Sequence, residues 1–240
     1  MSELKYKRIL LKVSGEALLG SQQFGIDPEP VHHIALEIQK ALNLGVQLAV
    51  VVGGGNIFRG MKNSSKLGMD QASGDYIGML ATVMNAVALQ SEFKKIGVDC
   101  RVQSAIDIDK IAEPYIRHRA IRHLEKNRVV IFAAGTGNPF FTTDTAAALR
   151  ASEIGADVML MAKNGVDGVY NDDPRTNPQA TKYDIIRYDD IIVNGLKVMD
   201  LSSCALCKQN NIPITVFDFN LKDSLVKILN DEKIGTLVTN

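Results

Sequence analysis

The chain has 240 residues, and its 27 basic and 27 acidic side chains give a net charge of zero, which argues against a dedicated nucleic-acid-binding protein. It contains no apolar run near the roughly 20 residues that cross a bilayer, and its polar N-terminus does not resemble a signal peptide. Three cysteines are too few for a disulfide framework, so we expect a reduced, cytoplasmic protein. From its charge and hydropathy we expect that it binds neither nucleic acid nor membranes.

One local pattern recurs along the chain: a short apolar run, a turn rich in glycine or polar residues, and a helical stretch. Runs rich in Val and Ile predict strands with their turns at 8–15, 48–55 and 128–137, and further strands at 98–104, 157–162 and 212–217. Helical periodicity and closing glycines predict helices at 31–44, 75–96, 111–127, 143–154, 198–210 and 221–229. The tail at 235–239 is predicted to add a final edge strand.

This alternation predicts an α/β fold in three layers, with a mostly parallel central sheet covered by helices on both faces. Two stretches interrupt it. Residues 62–74 are polar with two glycines and predict a mobile loop, whereas residues 163–182 predict a hairpin and an ordered loop. No linker stands out, so residues 1–240 are predicted to form a single domain.

Three turns that contain glycine follow predicted strands, at 14–15, 53–55 and 135–137. Ligands of open α/β sheets bind beyond the carboxyl ends of the strands, where glycine lets the backbone approach a phosphate. One such turn would be weak support, but three of them favour a ligand rich in phosphate. Neither G-x-x-x-x-G-K-[ST] nor G-x-G-x-x-G is present, which excludes a Walker-A loop and a dinucleotide-binding turn.

Cys204 and Cys207 form a C-x-x-C sequence that lies in a predicted helix. Zinc would need further thiol or imidazole ligands at suitable spacing, and the histidines offer no H-E-x-x-H. We therefore interpret these cysteines as small residues on a packed helix face, and predict no metal site in the protein.

Four charged residues each allow a functional and a structural interpretation. Lys12 lies within an apolar strand, where its ammonium reaches either solvent or a bound anion. Arg59 follows the triple-glycine turn and is either an arginine of a surface loop or a residue that binds phosphate. Asp144 and Asp75 each stand near a predicted helix start, where a plain N-cap is the structural alternative.

Six blocks together carry a resemblance to a known family: KRILLKVSGEAL (7–18), GGGNIFRG (53–60), GDYIGMLATVMNA (74–86), AGTGNPFFTTDTAA (134–147), VDGVYNDDP (166–174) and KVMDL (197–201). In this order, over essentially the whole chain, they resemble the bacterial uridylate kinases of the amino-acid kinase superfamily. The most specific block is GTGNPFFTTD, while KVSGEA and GGGN are shared more widely.

The resemblance implies a carbamate-kinase-like fold and transfer of the γ-phosphoryl group of ATP to UMP, giving UDP and ADP, in pyrimidine nucleotide biosynthesis. It also implies Mg²⁺ carried by the ATP phosphates, activation by GTP, inhibition by UTP and a homohexamer.

The resemblance further assigns roles by position. It implies catalysis by Lys12 and by Asp144, which orients the lysine. Contacts to ATP are implied for a first set: Lys12, Val13, Ser14, Gly15, Gly55, Arg59, Asn164, Tyr170 and Asp173. Contacts to UMP are implied for a second set: Gly54, Asp75, Thr136, Gly137, Asn138, Pro139, Phe140, Phe141, Thr142 and Thr143. The segment linked to GTP is Gly20, Ser21, Gln22, Gln23, Phe24 and Gly25.

Two other functions remain open at this point. A carboxylate or carbamate kinase would share the fold, although GTGNPFFTTD and Asp75 count against it. A nucleotide sensor that has lost turnover would also share the fold, but the presence of both Lys12 and Asp144 argues against it.

Overall fold

The computed structural model describes residues 4–58, 68–196 and 198–240. Its strands are β1 (Arg8–Val13), β2 (Gln47–Val52), β3 (Cys100–Ser104), β4 (Glu113–Pro114), β5 (Val129–Ala133), β6 (Val158–Lys163), β7 (Val169–Tyr170), β8 (Lys182–Tyr183), β9 (Ile185–Arg187), β10 (Ile214–Asp218) and β11 (Thr236–Thr239). Its helices are α1 (Pro28–Leu42), α2 (Gln71–Lys95), α3 (Arg117–Glu125), α4 (Thr143–Ile154), α5 (Tyr188–Val193), α6 (Leu201–Gln209) and α7 (Ser224–Leu229).

The central sheet has the strand order β4-β3-β5-β2-β1-β6-β10-β11-β9 in the described part of the chain. All neighbouring strands pair in parallel except β10 and β11, which are antiparallel. The separate strands β7 and β8 form a small antiparallel hairpin. The sheet is therefore mostly parallel, as predicted.

Apolar side chains fill both faces of this sheet. Along β1, Ile9 and Leu11 join the core that contains residues of α1, α2 and α7, whereas Leu10 joins the core formed with α3, α4 and α6. The same alternation holds along β2 and β5, because successive side chains of a strand point to opposite faces. Two helical layers thus enclose one sheet, which confirms the predicted three-layer α/β class.

The predicted element types are mostly confirmed, but several boundaries are wrong. The second long helix begins at Gln71 with Asp70 as its N-cap, so the end of the predicted 62–74 loop is helical; residues 62–67 lie outside the described residues. In the predicted 111–127 helix, β4 comes first and α3 begins only at Arg117. Pro114 explains this difference, because proline lacks the N–H that a helix interior needs.

The last strand is also placed differently from the prediction. β11 lies between β10 and β9, so it is an inner strand, and β9 forms the edge. Sequence analysis missed β9 and α5, which are short and lack a full helical or strand period.

Cys204 and Cys207 lie on α6 and are buried in the core, which confirms their interpretation as packed helix residues. Burial raises the pKa of the Cys207 thiol to about 12 and that of the Cys100 thiol to about 11. Burial also raises the pKa of Cys204. Because the thiolate is the reactive form, these thiols are inert in the folded protein.

We therefore expect iodoacetamide at pH 8 to leave all three cysteines of the native protein unmodified, while the urea-unfolded protein is labelled fully. Mass spectrometry of the two samples after equal exposure checks this. Native labelling of Cys204 or Cys207 would contradict their placement in the core.

Candidate active site

Two pockets lie where the central strands end at their carboxyl side. The smaller has a volume of about 170 Å³ and is lined by residues of the turns after β2 and β5 and by the first turns of α2. The larger is a cleft of about 680 Å³, lined by residues that follow β1 and β6 and by the loop after β7. This is the edge of the sheet at which the sequence predicts a ligand.

Lys12 and Asp144 form an ion pair at this edge, with 2.7 Å between Lys12 Nζ and Asp144 Oδ1. Lys12 lies two residues after Leu10 on β1, so its side chain faces the layer that contains α4. The residue is only 8% exposed, and a buried ammonium is costly without a partner. Asp144, in the first turn of α4, supplies the compensating charge.

The ion pair lies beside both pockets, although Asp144 itself lines neither. Lys12 lines the larger cleft, while Thr142 and Thr143, immediately before Asp144, line the smaller pocket.

Thr142, not Asp144, caps α4. Its hydroxyl oxygen accepts hydrogen bonds from the backbone N–H groups of Asp144 and Thr145, so the N-cap alternative for Asp144 is wrong. Asp200, which is not part of α4, stabilises the N-terminus of this helix. Its carboxylate accepts hydrogen bonds from the hydroxyls of Thr142 and Thr145. Asp200 also caps α6 through the backbone N–H of Ser203, at 2.7 Å.

The first two glycine turns pack directly against each other. A Cβ atom added to Gly15 would lie 2.6 Å from the carbonyl oxygen of Gly53 and 2.7 Å from Asn56 Oδ1. A Cβ atom added to Gly54 would lie 2.8 Å from the carbonyl oxygen of Gly78 on α2. Glycine is therefore required here for close approach of backbone to backbone.

A buried pair of asparagines holds these turns. The side chains of Asn56 and Asn85 donate to each other at 2.9 and 2.7 Å. Asn85 Nδ2 also donates to the carbonyl of Gly53, and Asn56 Nδ2 donates to the carbonyl of Gly25 at 2.9 Å. The triple-glycine turn is thereby tied to α2 and to the 20–25 segment.

The smaller pocket collects most of the residues that the resemblance assigns to UMP. Its lining includes Gly54, Asp75, Thr136, Phe141, Thr142 and Thr143. Four others lie in the same loop without lining the pocket: Gly137, Asn138, Pro139 and Phe140.

Asp75 lies on α2 after its first turn, so the cap alternative for this residue is wrong as well. Its Oδ2 accepts a hydrogen bond from the backbone N–H of Phe140 at 2.8 Å, and Phe140 has a φ of 71°. The carboxylate thus holds the loop in a conformation that is uncommon for a residue with a side chain.

The larger cleft collects five of the residues that the resemblance assigns to ATP: Lys12, Ser14, Asn164, Tyr170 and Asp173. The Tyr170 hydroxyl donates to Asp167 at 2.6 Å, which raises the pKa of Tyr170 and orients its ring. Asn164 Oδ1 accepts a hydrogen bond from Asn220 at 2.7 Å.

Three other residues of the ATP set are placed elsewhere. Val13 faces the core with α1, Gly15 packs on Gly53, and Gly55 lines the smaller pocket. Arg59 lies outside the described residues, as does Lys197 of the KVMDL block.

Sequence analysis did not single out Lys163, Arg175 or Asp200, although the first two line the larger cleft. For Lys163 a signal was present, because it is a charge at the end of an apolar strand, as Lys12 is. Among residues 4–58, 68–196 and 198–240, no group of three His, Cys, Asp or Glu side chains is arranged to hold a metal. In the same ranges, no helix is long and apolar enough to cross a membrane.

Comparison with known proteins gives a consistent set of relatives. Residues 7–218 match the sequence profile of the Amino acid kinase family. The chain is 54% identical to a uridylate kinase from Pediococcus pentosaceus over 238 residues, covering 99% of this chain and 98% of that protein.

Solved structures of similar proteins include two UMP kinases. The one from Bacillus anthracis superposes with a TM-score of 0.95 at 38% identity, covering 98% of this chain and 96% of that one. The one from Ureaplasma parvum superposes with a TM-score of 0.92 at 38% identity, covering 98% and 100%.

The packing at Gly15 generates a test with an internal control. We expect Gly15→Ala to lower the free energy of unfolding by about 1–3 kcal/mol, because the added methyl group overlaps backbone. Gly78→Ala is the matched control on α2, where a Cβ atom meets no heavy atom within 4 Å. Gly78→Ala should raise the free energy of unfolding by about 0.5–1 kcal/mol, because alanine in a helix interior is more stable than glycine. Urea unfolding of both variants measures the two values, and equal signs would contradict the described turn.

Proposed function

The chain belongs to the amino acid kinase family, and as a uridylate kinase it transfers the γ-phosphoryl group of ATP to UMP; we propose that Lys12 and Asp144 form the centre of this transfer. One observation carries the proposal: a largely buried ion pair lies beside two pockets of different size. In this arrangement UMP occupies the smaller pocket and ATP the larger cleft, so the two phosphates meet at Lys12.

Phosphoryl transfer requires alignment of the reacting groups and stabilisation of the charge on the phosphoryl oxygens, and it asks for little covalent chemistry from the protein. The Lys12 ammonium has three N–H donors, and the Asp144 carboxylate engages one side of it. The remaining donors contact the transferring group, while Asp144 keeps the ammonium in place. The attacking oxygen belongs to a phosphate that is ionised at neutral pH, so no general base is needed.

The two substrates use the sets that the resemblance assigns. UMP contacts the lining of the smaller pocket, with Asp75 at the ribose and residues 136–143 around the base and phosphate. ATP contacts the first turn, Asn164, Tyr170 and Asp173, with Arg59 as a further ligand. Mg²⁺ enters as part of the MgATP substrate and is held mainly by its phosphates.

Assembly and regulation extend the proposal. Residues 1–240 act as one domain in a homohexamer, which is supported by exposed apolar side chains at helical spacing on α2: Tyr76, Leu80, Met84 and Val87. GTP activates through the 20–25 segment; this is supported by two hydrogen bonds between Gly25 and Asn56, the residue that follows the triple-glycine turn. UTP inhibits, and the enzyme works in the cytoplasm in pyrimidine nucleotide synthesis, where its free cysteines stay reduced.

The substrate assignment is tested by incubating the protein with MgATP and one acceptor at a time, and by following ADP. The acceptors are UMP, CMP, AMP, GMP, glutamate, aspartate and carbamate. We expect rapid turnover with UMP alone. Preferred turnover of glutamate, aspartate or carbamate would identify a carboxylate or carbamate kinase instead, and no turnover with any acceptor would identify a sensor.

If Asp144 acts through Lys12, their variants should be non-additive. Lys12→Met should keep the fold and lower kcat by about 10²–10³-fold, the scale of a lost transition-state contact. Asp144→Asn should lower kcat without unfolding α4, because Thr142 provides the cap. In the double variant, the second substitution should cost little beyond the first.

The measurements are kcat for the four proteins, with circular dichroism as the check of folding. Full activity of folded Lys12→Met, or additive losses in the double variant, would contradict the assignment of the pair.

Asp75 should determine the preference for a ribose over a deoxyribose. A carboxylate accepts hydrogen bonds from vicinal hydroxyls, so dUMP, which lacks the 2′-hydroxyl, would lose one of them at a cost of about 1–3 kcal/mol. Asp75→Ala should then lower the ratio of kcat/KM for UMP to that for dUMP, with KM for ATP unchanged. An unchanged ratio would limit Asp75 to holding Phe140 and would assign acceptor recognition to residues 136–143.

A further inference from the structure

Lys163 is a second lysine at the carboxyl edge of the sheet, and it ends β6 next to β1. In the parallel pairing of these strands, Lys12 is opposite Met161 and Val13 is opposite Ala162. The next position along the pair brings Lys163 beside Ser14 of the first turn. Because side chains alternate along a strand, Lys163 faces the same layer as Met161 and therefore as Lys12.

Lys163 has a neutral hydrogen-bond partner, and the charge of Asp144 compensates its own only in part. Its ammonium donates a hydrogen bond to the carbonyl oxygen of Val198 at 2.7 Å, which is a neutral partner. Within the residues that the structure describes, no carboxylate lies at ion-pair distance from it, and the nearby Asp144 already pairs with Lys12. Burial lowers the pKa of Lys163, and the charge of Lys12 lowers it further.

The two aspartates in the loop after β7 that line the larger cleft bind within that loop. Asp172 accepts hydrogen bonds from the backbone of Asp173 and from Asn177, and Asp173 accepts one from the backbone of Arg175. These carboxylates therefore hold their own loop. The ammonium of Lys163 has three donors, and the carbonyl of Val198 uses one. A half-buried cation with spare donors in a cleft is suited to an anion.

We propose that Lys163 is a phosphate-binding residue of the donor nucleotide, and that it contacts the phosphate chain of ATP alongside Lys12. The inference rests on the proposed function, because it takes the larger cleft as the ATP site. It assigns a direct contact with substrate to a residue outside the six blocks that carry the family resemblance. A purely structural residue would instead serve only to join β6 to the segment before α6 through Val198.

The test separates the effect of the Lys163 charge from that of its hydrogen bond to the carbonyl of Val198. Lys163→Gln removes the charge but keeps an N–H donor for that carbonyl, and Lys163→Arg keeps both. Lys95→Met is the matched control, because Lys95 is an exposed lysine that pairs with Glu92 at 2.8 Å on the far end of α2. Calorimetry measures the binding of ADP and of adenosine to each protein, and steady-state kinetics measures KM for ATP and for UMP.

We expect Lys163→Gln to weaken ADP binding by about 10–100-fold, the scale of a hydrogen bond to a charged group. Adenosine binding should not change, and KM should rise for ATP and stay constant for UMP. Lys163→Arg should recover most of the ADP affinity, and Lys95→Met should bind ADP as the parent protein does. Unchanged ADP affinity in folded Lys163→Gln, or equal weakening of ADP and adenosine, would overturn the proposal.

The proposed function fails separately from this inference. If the parent protein does not phosphorylate UMP while the ADP effect of Lys163→Gln holds, the acceptor assignment is wrong and the phosphate contact stands. If UMP is phosphorylated and the ADP effect is missing, the function stands and the role of Lys163 is wrong.

Discussion

The need to neutralise one buried ammonium organises the centre of this molecule. Lys12 stands on the middle of the sheet, so a carboxylate has to reach it from the helical layer above. Asp144 can do so only if α4 begins at a fixed point. That point is set by the Thr142 cap, and Asp200 holds the cap from the start of α6. Two helices and one strand are thus positioned around a single charge.

Close backbone contact provides the second constraint. The turns after β1 and β2 touch through Gly15 and Gly53, and the buried amides of Asn56 and Asn85 satisfy the carbonyl groups that this contact encloses. Such a hydrogen-bond network stabilises the fold only when every member is paired, because an unpaired polar group in the interior raises the free energy of the folded state. The two turns are therefore held at fixed positions beside the smaller pocket and the larger cleft.

Local patterns predicted much of this fold. The apolar runs identified the inner strands, and the helix at 143–154 was predicted to the residue because its cap and its closing glycine are both local signals. The start of α2 was missed because a polar segment with two glycines is typical of a loop, although Asp70 caps a helix there. The position of β11 could not be predicted, since strand order depends on contacts between distant parts of the chain.

For the site, the resemblance named residues that the structure then gathers around two pockets, but spacing alone could not show which pocket each one lines. Gly55 was assigned to ATP and lines the smaller pocket. Lys163 carries a local signal, a charge at the end of an apolar strand, but its partner Val198 is far away in the chain. The partner of Asp200, Thr142, is also far away, so the sequence could not show that Asp200 supports the start of α4.

The strand order has a consequence for biosynthesis. Among the described strands β1 is synthesised before the others, yet its partner β6 follows more than half a chain later, with Ile9 opposite Val158. β11 is made last and still has to enter between β10 and β9. Contacts so distant along the chain slow folding, because closing a long loop costs conformational entropy before the strands gain their contact energy. The half of the sheet from β4 to β1 can therefore pair before the half from β6 to β9, whose strands all come later in the chain.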